Sequence, residues 1–353
     1  MRVAAARAVA SRAIAVAIAI GCFAVVGLAC AGDDGGRDLA AGWRGLLTIR
    51  GAALGAAVTL PRAAYADATL AGTIVSRKLT ETSGLATSRR RDDLLWAIND
   101  SGTSPRLHAL GVDGSDRGDA RVEGTDAVDW EDLASFELDG RSYLLVADTG
   151  DNLSWREGVE LFVVEEPKLS GDALAADTVL KPAWRIHFRF EDGPRDCEAV
   201  AVDSERMRVL LIAKRTEPPG LYELPLRPEA ASGARTAKTT QLVARRLGDV
   251  IGIPPPTEAD VDAARWLGRY FAMPTALDLG ADGRLAAVLT YREAYLYERG
   301  ADEEWETAFG RPPQRIALPA MAQAEAIAFG RDGRTLFATS EGVGAPLFRL
   351  SRP

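Results

Sequence analysis

One recurring pattern limits the folds open to this chain more than any other feature. A short apolar strand headed by a polar residue appears as Ser83-Gly84-Leu85-Ala86, Glu131-Asp132-Leu133-Ala134, Glu198-Ala199-Val200-Ala201, Thr275-Ala276-Leu277-Asp278 and Glu325-Ala326-Ile327-Ala328. A turn follows each copy and reads Asp139-Gly140, Asp282-Gly283 and Asp332-Gly333 in three of them. Asp-Gly supplies the positive φ of a tight hairpin at little steric cost. A second apolar strand comes next, as in Leu94 to Ile98, Tyr143 to Ala147, Val209 to Ala213, Leu285 to Leu289 and Thr335 to Ala338. A third follows, for example Leu161 to Val164 or Leu347 to Leu350, and a more variable fourth at Trp184 to Phe190, Thr240 to Leu247 and Gln314 to Leu318.

Four strands per unit, repeating at about 50 to 75 residues, predict an all-β chain folded as a β-propeller, in which each sheet buries its faces against the neighbouring blades. Five four-stranded blades are recognisable. From residue 69 to 353 that is about 57 residues per blade; six blades would give about 48, nearer the usual repeat, so a sixth stays open. The stretch from Asp249 to Tyr270, with Pro254-Pro255-Pro256, is either a helical insertion or a degenerate blade. The last unit ends with three strands, and Leu70 to Leu79 precedes the first. That N-terminal strand is expected to close the last blade.

The first thirty residues are set aside as a signal peptide. Arg2, Arg7 and Arg12 precede an uncharged apolar run from Ala13 to Ala29, too short to span a membrane comfortably. The run ends in Gly27-Leu28-Ala29-Cys30, which resembles the lipobox of bacterial lipoproteins; Cys30 would be lipidated and become the mature N-terminus. A second site, Ala64-Tyr65-Ala66, fits soluble secretion instead. Either route takes the chain out of the cytoplasm, to the periplasm or cell surface when lipidated. Residues 31–68, rich in Ala, Gly and Arg, read as a low-complexity tether, leaving 69–353 for the propeller. After processing, Cys197 is the only thiol in the folded part, so neither an intrachain disulfide nor a cysteine metal cluster is expected there.

Charge narrows the partners. With 42 Lys plus Arg against 50 Asp plus Glu, the net charge of -8 argues against nucleic acid, where affinity comes from neutralising phosphates. Membrane contact is expected through the lipid anchor alone, and the chain is read as a monomer.

The strings TSGLA (82–86), WAINDSG (96–102), DWEDLA (129–134), VADTGDN (146–152), DCEAVAVD (196–203), AKR (213–215) and LTYREAYLY (289–297) carry a resemblance. Over about residues 79 to 299 the chain is similar to exported bacterial β-propellers related to the esterase-like-activity-of-phytase and SdiA-regulated groups, mostly uncharacterised. The resemblance implies fold and export, and does not specify an activity. Met273-Pro274-Thr275 and the Pro-rich insertion depart from the family pattern.

The repeats also align polar residues. At the head of each copy stand Ser83, Glu131, Glu198, Thr275 and Glu325, and two places earlier Glu81, Asp129, Asp196, Met273 and Gln323. Spacing by two puts both rows on one strand face. A second set follows the second strand: Asn99-Asp100, Asp148 with Asp151 and Asn152, Lys214-Arg215, Tyr291-Arg292 and Ser340-Glu341. Antiparallel pairing returns these to the same end, so an acidic funnel with three cations is expected at one mouth of the channel. The candidate ligand-binding residues are therefore Glu81, Asp129, Glu131, Asp196, Glu198, Glu325, Lys214, Arg215, Tyr291 and Arg292. Asp148, Asp151 and Asn152, around Gly150, are the candidate Ca²⁺ ligands, since that ion takes six to eight oxygens.

Two functions follow as alternatives. One is a cell-envelope binding or interaction module for a small anionic ligand or an envelope protein. The other is a metal-dependent, phytase-like hydrolase in which Lys214, Arg215 and Arg292 clamp a phosphoester. Serine hydrolysis has no local support, because no Gly-x-Ser-x-Gly elbow occurs. Asp196 and Glu198 flank Cys197 and disfavour its thiolate.

Overall fold

A computed structural model describes residues 54–228, 241–265 and 267–352; the expected leader with Cys30, and residues 31–53, lie outside them. After β1 (Thr69–Thr73) come β2 (Thr82–Thr87), β3 (Leu94–Asn99), β4 (Arg106–Gly111) and β5 (Asp116–Val122), the last four pairing antiparallel in order. The second unit holds β6 (Trp130–Leu138), β7 (Arg141–Asp148), β8 (Val159–Glu165), the two-residue β9 (Val179–Leu180) and β10 (Pro182–Phe190). The third runs through β11 (Cys197–Asp203), β12 (Arg208–Ala213), β13 (Gly220–Pro225) and β14 (Leu242–Asp249). The fourth comprises β15 (Pro274–Leu279), β16 (Leu285–Thr290), β17 (Ala294–Glu298) and β18 (Gln314–Ile316), and β19 (Ala324–Phe329), β20 (Leu336–Ser340) and β21 (Pro346–Leu350) end the chain.

The first strands of these units, β2, β6, β11, β15 and β19, pack against one another in that order, and β19 packs on β2. Sheets set around a common axis with their first strands innermost make a β-propeller. Its core is divided among the wedges between sheets. Trp96, Trp130 and Phe162 fill one, Phe188, Val200 and Tyr222 the next, and Leu277, Tyr295 and Trp305 a third. Two more are built on Ile327 with Leu289, and on Leu85 with Ala328.

β1 pairs antiparallel with β21, Thr69 opposite Arg349 and Thr73 opposite Pro346, so the two ends of the domain share a sheet as expected, over a shorter strand than the sequence indicated. The preceding residues do not hang free. Ala63 N–H donates to the Arg315 carbonyl at 2.8 Å, Ala66 N–H to the Ser351 carbonyl at 3.0 Å, and Tyr65 is buried in a wedge. The second half of the expected tether is thus a strap docked across the fourth and last sheets. Two other connections depart from the simple repeat. β9 pairs in parallel with β5, and β10 with β14, which joins the second and third units at their outer edges into one eight-stranded sheet.

The Asp-Gly turns divide into two kinds. Asp139 and Gly140 both have positive φ, 51° and 71°, as the hairpin reading requires. At Asp282-Gly283 and Asp332-Gly333 only the glycine does, and the aspartate accepts backbone N–H groups from Arg284 and Arg334 instead. The Pro-rich stretch after β14 carries α1 (Glu258–Ala263), whose start is fixed by reciprocal Thr257–Asp260 capping, and a 3-10 turn at Gly268–Tyr270. A second short helix, α2 (Trp305–Phe309), packs Trp305 and Phe309 into a wedge.

At the axis, inner strands meet without a shared ladder, so their backbone groups need other partners. Asp132 Oδ2 accepts N–H from Val200 of β11 at 2.7 Å and from Leu277 of β15 at 3.0 Å, and Oδ1 accepts from Leu133. Asp278 does the same between its own strand and Phe329 of β19. Asp132→Ala should leave the two cross-strand donors buried without acceptors, at about 3 kcal/mol, lowering the unfolding temperature by about 6–12 °C in calorimetry; an unchanged transition would contradict this role.

Candidate functional site

Every inner strand carries an irregularity at the same place. The register shifts between Thr82 and Gly84, Trp130 and Asp132, Cys197 and Ala199, Pro274 and Ala276, and Ala324 and Ala326. The extra residues are Ser83, Glu131, Glu198, Thr275 and Glu325, the aligned polar heads of the repeats. A bulge removes one residue from the ladder and re-aims its side chain. Ser83 and Thr275 use this to donate to carbonyls of the following inner strand, Trp130 and Ala324, each at 2.8 Å. The three glutamates gather at the mouth and are buried there.

Glu131 is the centre of the cluster. Carboxylate oxygens of Asp100, Asp129 and Glu131 lie within 4.8 Å of one another, as do those of Glu131, Asp196 and Glu198. Gly150 faces the same point, and a Cβ there would collide with the carboxylates of Glu131 and Asp129. Cations occupy one side. Lys214 Nζ pairs with Glu198, donates to the Tyr291 hydroxyl at 2.7 Å and stands 4.8 Å from the Tyr291 ring centre. Tyr291 in turn hydrogen-bonds Glu325. Arg215 Nε donates to Asp196 Oδ2 at 2.6 Å, and its Nη2 to Asn152 Oδ1. Among the described residues no donor reaches the carboxylate of Glu131, which is only 5% exposed.

Burial and crowding both disfavour charge here. Burial, then Asp196, pushes Asp129 up to about 6. Burial raises Glu198 to about 7 against the pull of Lys214, and Glu341 to about 7 in the same way. Asp100, Glu131 and Glu325 are held well above the usual carboxylate range, by burial first; Asp129 adds to the shift at Asp100, and Glu198 to the shifts at Glu131 and Glu325. Burial also raises Glu81, beside Glu341. Burial opposes the charge on Lys214, yet Glu198 keeps its pKa well above the ordinary value.

The expected site is therefore assembled in part. Glu81, Asp129, Glu131, Asp196, Glu198, Glu325, Lys214, Arg215 and Tyr291 come together, and Asp100 and Glu341 join them from the ends of β3 and β20. Arg292 does not. Its guanidinium donates to Asp260 at 2.9 Å and to the Pro254 carbonyl at 3.0 Å, so the helical insertion holds it away from the cluster. The Asp148 loop also differs from the calcium loop expected. Asp148 pairs with Arg156 at 2.7 Å and accepts the Val128 and Asp129 N–H groups. Asp151 accepts N–H from Trp155 and Arg156, and Asn152 serves Arg215. Cys197 is buried with its pKa raised by burial, and His108 is buried and pushed down to about 4. Trp96 and Trp130 are buried in the core, and Trp155 is exposed.

The sequence matches no protein-family model, and no curated protein matches it. Among solved structures, it is similar to a gluconolactonase from Xanthomonas campestris, with TM-score 0.40 and 11% identity over 86% of this chain and 99% of that one. It is similar also to the WD40 domain of Pan2 from Neurospora crassa, with TM-score 0.39 and 10% identity over 83% and 98%, and to a nidogen/laminin complex, with TM-score 0.39 and 15% identity over 74% and 73%. All three TM-scores lie below 0.5, and the propeller rests on the ring of sheets itself.

The raised carboxylates set a pH dependence for the metal-free chain. Their folded pKa values lie above the unfolded values near 4, so the folded state holds protons that the unfolded state has released. That contribution to stability falls as pH rises through 6 to 8. His108 works the other way only below its unfolded pKa near 6.5. Thermal unfolding in chelator should therefore show a falling transition temperature between pH 6.5 and 8, with a shallower fall in Glu198→Gln; a rise across that window would contradict the electrostatics described.

Proposed function

We propose that this chain is an exported five-bladed propeller serving as a binding module on the cell envelope, and that its acidic mouth holds a calcium ion. The ring order of β2, β6, β11, β15 and β19 supports the blade count, and the N-terminal run with Cys30 supports export. One observation carries the calcium reading. Among the described residues Glu131 is buried without a donor, and four further carboxylates, Asp100, Asp129, Asp196 and Glu198, crowd its oxygens. A buried carboxylate without a partner is costly, and a cation removes that cost. The donors are hard oxygens on strand ends from three sheets, which suits an ion accepting many oxygens in flexible geometry better than magnesium, which demands a near-ideal octahedron and keeps its waters.

The charge pattern favours binding over phosphoester hydrolysis. A phosphate clamp needs several free cations converging on a dianion, whereas Lys214 is bound to Glu198 and Arg292 to Asp260, and Arg215, tied through Nε to Asp196, keeps only one edge open. The ligand is then a small molecule or envelope protein that completes the coordination of the ion.

Calorimetry with calcium and with chelator tests this. At a hundredfold excess over the dissociation constant, calcium should add about 2.7 kcal/mol of stability. Glu131→Gln and Asp129→Asn should remove most of that gain, whereas Asp148→Asn should lower basal stability and keep the response. Identical transitions with calcium and chelator would refute the site, and calcium-dependent turnover of a phosphoester panel would favour the hydrolase.

A further inference from the structure

The ring of residues two places before the bulges is acidic at Glu81, Asp129 and Asp196 and polar at Gln323. Only the fourth unit breaks it, with Met273. At that gap lies a cavity of about 280 Å³. Val250, Ile253, Pro255 and Met273 supply apolar walls, all from the insertion between β14 and β15 or its ends, and Lys214 and Arg215 line it from the end of β12. The departure from the repeat and the insertion that follows β14 are thus one structural feature, an apolar chamber joined to the charged mouth through its two cations. Arg215 keeps donors to spare. Nε and Nη2 are committed to Asp196 and Asn152, and among the described residues Nη1 has no partner. The acid Glu217 also lines the chamber and is itself engaged.

We infer that this chamber is the specificity pocket of the ligand site and takes the hydrocarbon part of a small amphipathic carboxylate, whose anionic end lies against Arg215 at the edge of the acidic mouth. The inference rests on the mouth being a binding site. A mono-anion fits one spare guanidinium edge, whereas a phosphomonoester would bring a second charge toward Asp196 and Glu198. Size sets the tail. An apolar cavity of about 150 Å³ holds one benzene, so this chamber takes roughly eight carbons in a bent chain.

Calorimetric titration of the full propeller with calcium present, using straight-chain carboxylates from acetate to decanoate and the matching primary alcohols, tests the assignment. Affinity should rise about fourfold per methylene, or roughly 15-fold from butanoate to hexanoate, and level off near octanoate. Each alcohol should bind at least about tenfold more weakly than its acid, the loss of a charge-assisted hydrogen bond. Met273→Trp should abolish the chain-length dependence while leaving the calcium response of the unfolding transition intact, and Ile253→Phe provides a second, milder filling of the chamber. A chain-length series that survives with no calcium response would uphold the pocket and remove the ion. Affinities indifferent to chain length, alcohols equal to acids, or Met273→Trp and Ile253→Phe binding octanoate as the wild type does would overturn the inference.

Discussion

A strand at the inner edge of a propeller sheet pairs on one side only, and its other edge faces the axis, where neither water nor another ladder is at hand. Asp132 answers that constraint for three strands at once, because one carboxylate oxygen takes N–H groups from both β11 and β15. Asp278 ties β15 to β19, and Ser83, Thr149 and Thr275 close further gaps by donating to carbonyls across the ring. Short side chains on small-residue strands let the sheets approach the axis closely. The wedges of apolar side chains outside the ring then bury the remaining faces, and each wedge depends on its neighbours holding position.

At the mouth the same constraint is met differently. A bulge in each inner strand frees one residue, and where that residue is glutamate the ring gathers charge that burial disfavours. Some of the cost is offset internally, by Lys214 on Glu198 and Arg215 on Asp196. Glu131 has no such partner among the described residues. Local rules of burial and pairing are broken there while the surrounding ring keeps them, which is the pattern expected where a site is held ready for a ligand at the expense of stability.

Much of the fold was legible because repeats announce themselves: the aliphatic strands, their spacing and the leftover first strand led to the ring and to the β1–β21 pairing. The bulges were not, since alternation assumes an unbroken ladder and the residue that leaves it looks in sequence like any other strand residue. Asp132 and Asp278 look in sequence like ordinary strand residues for the same reason; Val200 and Phe329, whose N–H groups donate to them, lie 68 and 51 residues away. The site was legible as a set of acids at one end, and Glu131, Glu198 and Lys214 met there. Arg292 lies away from the cluster because α1 presents Asp260 to it, a contact with no local signal in the chain, and Asp148 leaves the expected calcium role because Arg156, eight residues on, folds back as its partner. The strap at Ala63 and Tyr65 was hidden by its low-complexity surroundings.

The proposed divalent-cation site, on which the bulged glutamates converge, is centred on Glu131. Crystals of the propeller soaked in manganese, a calcium surrogate with anomalous scattering, test it most directly. One strong anomalous peak is expected within about 2.1–2.6 Å of a Glu131 carboxylate oxygen, with oxygens of Asp129 and Glu198 among its neighbours. No peak at that mouth, or a peak among Asp148, Asp151 and Asn152 instead, would contradict it.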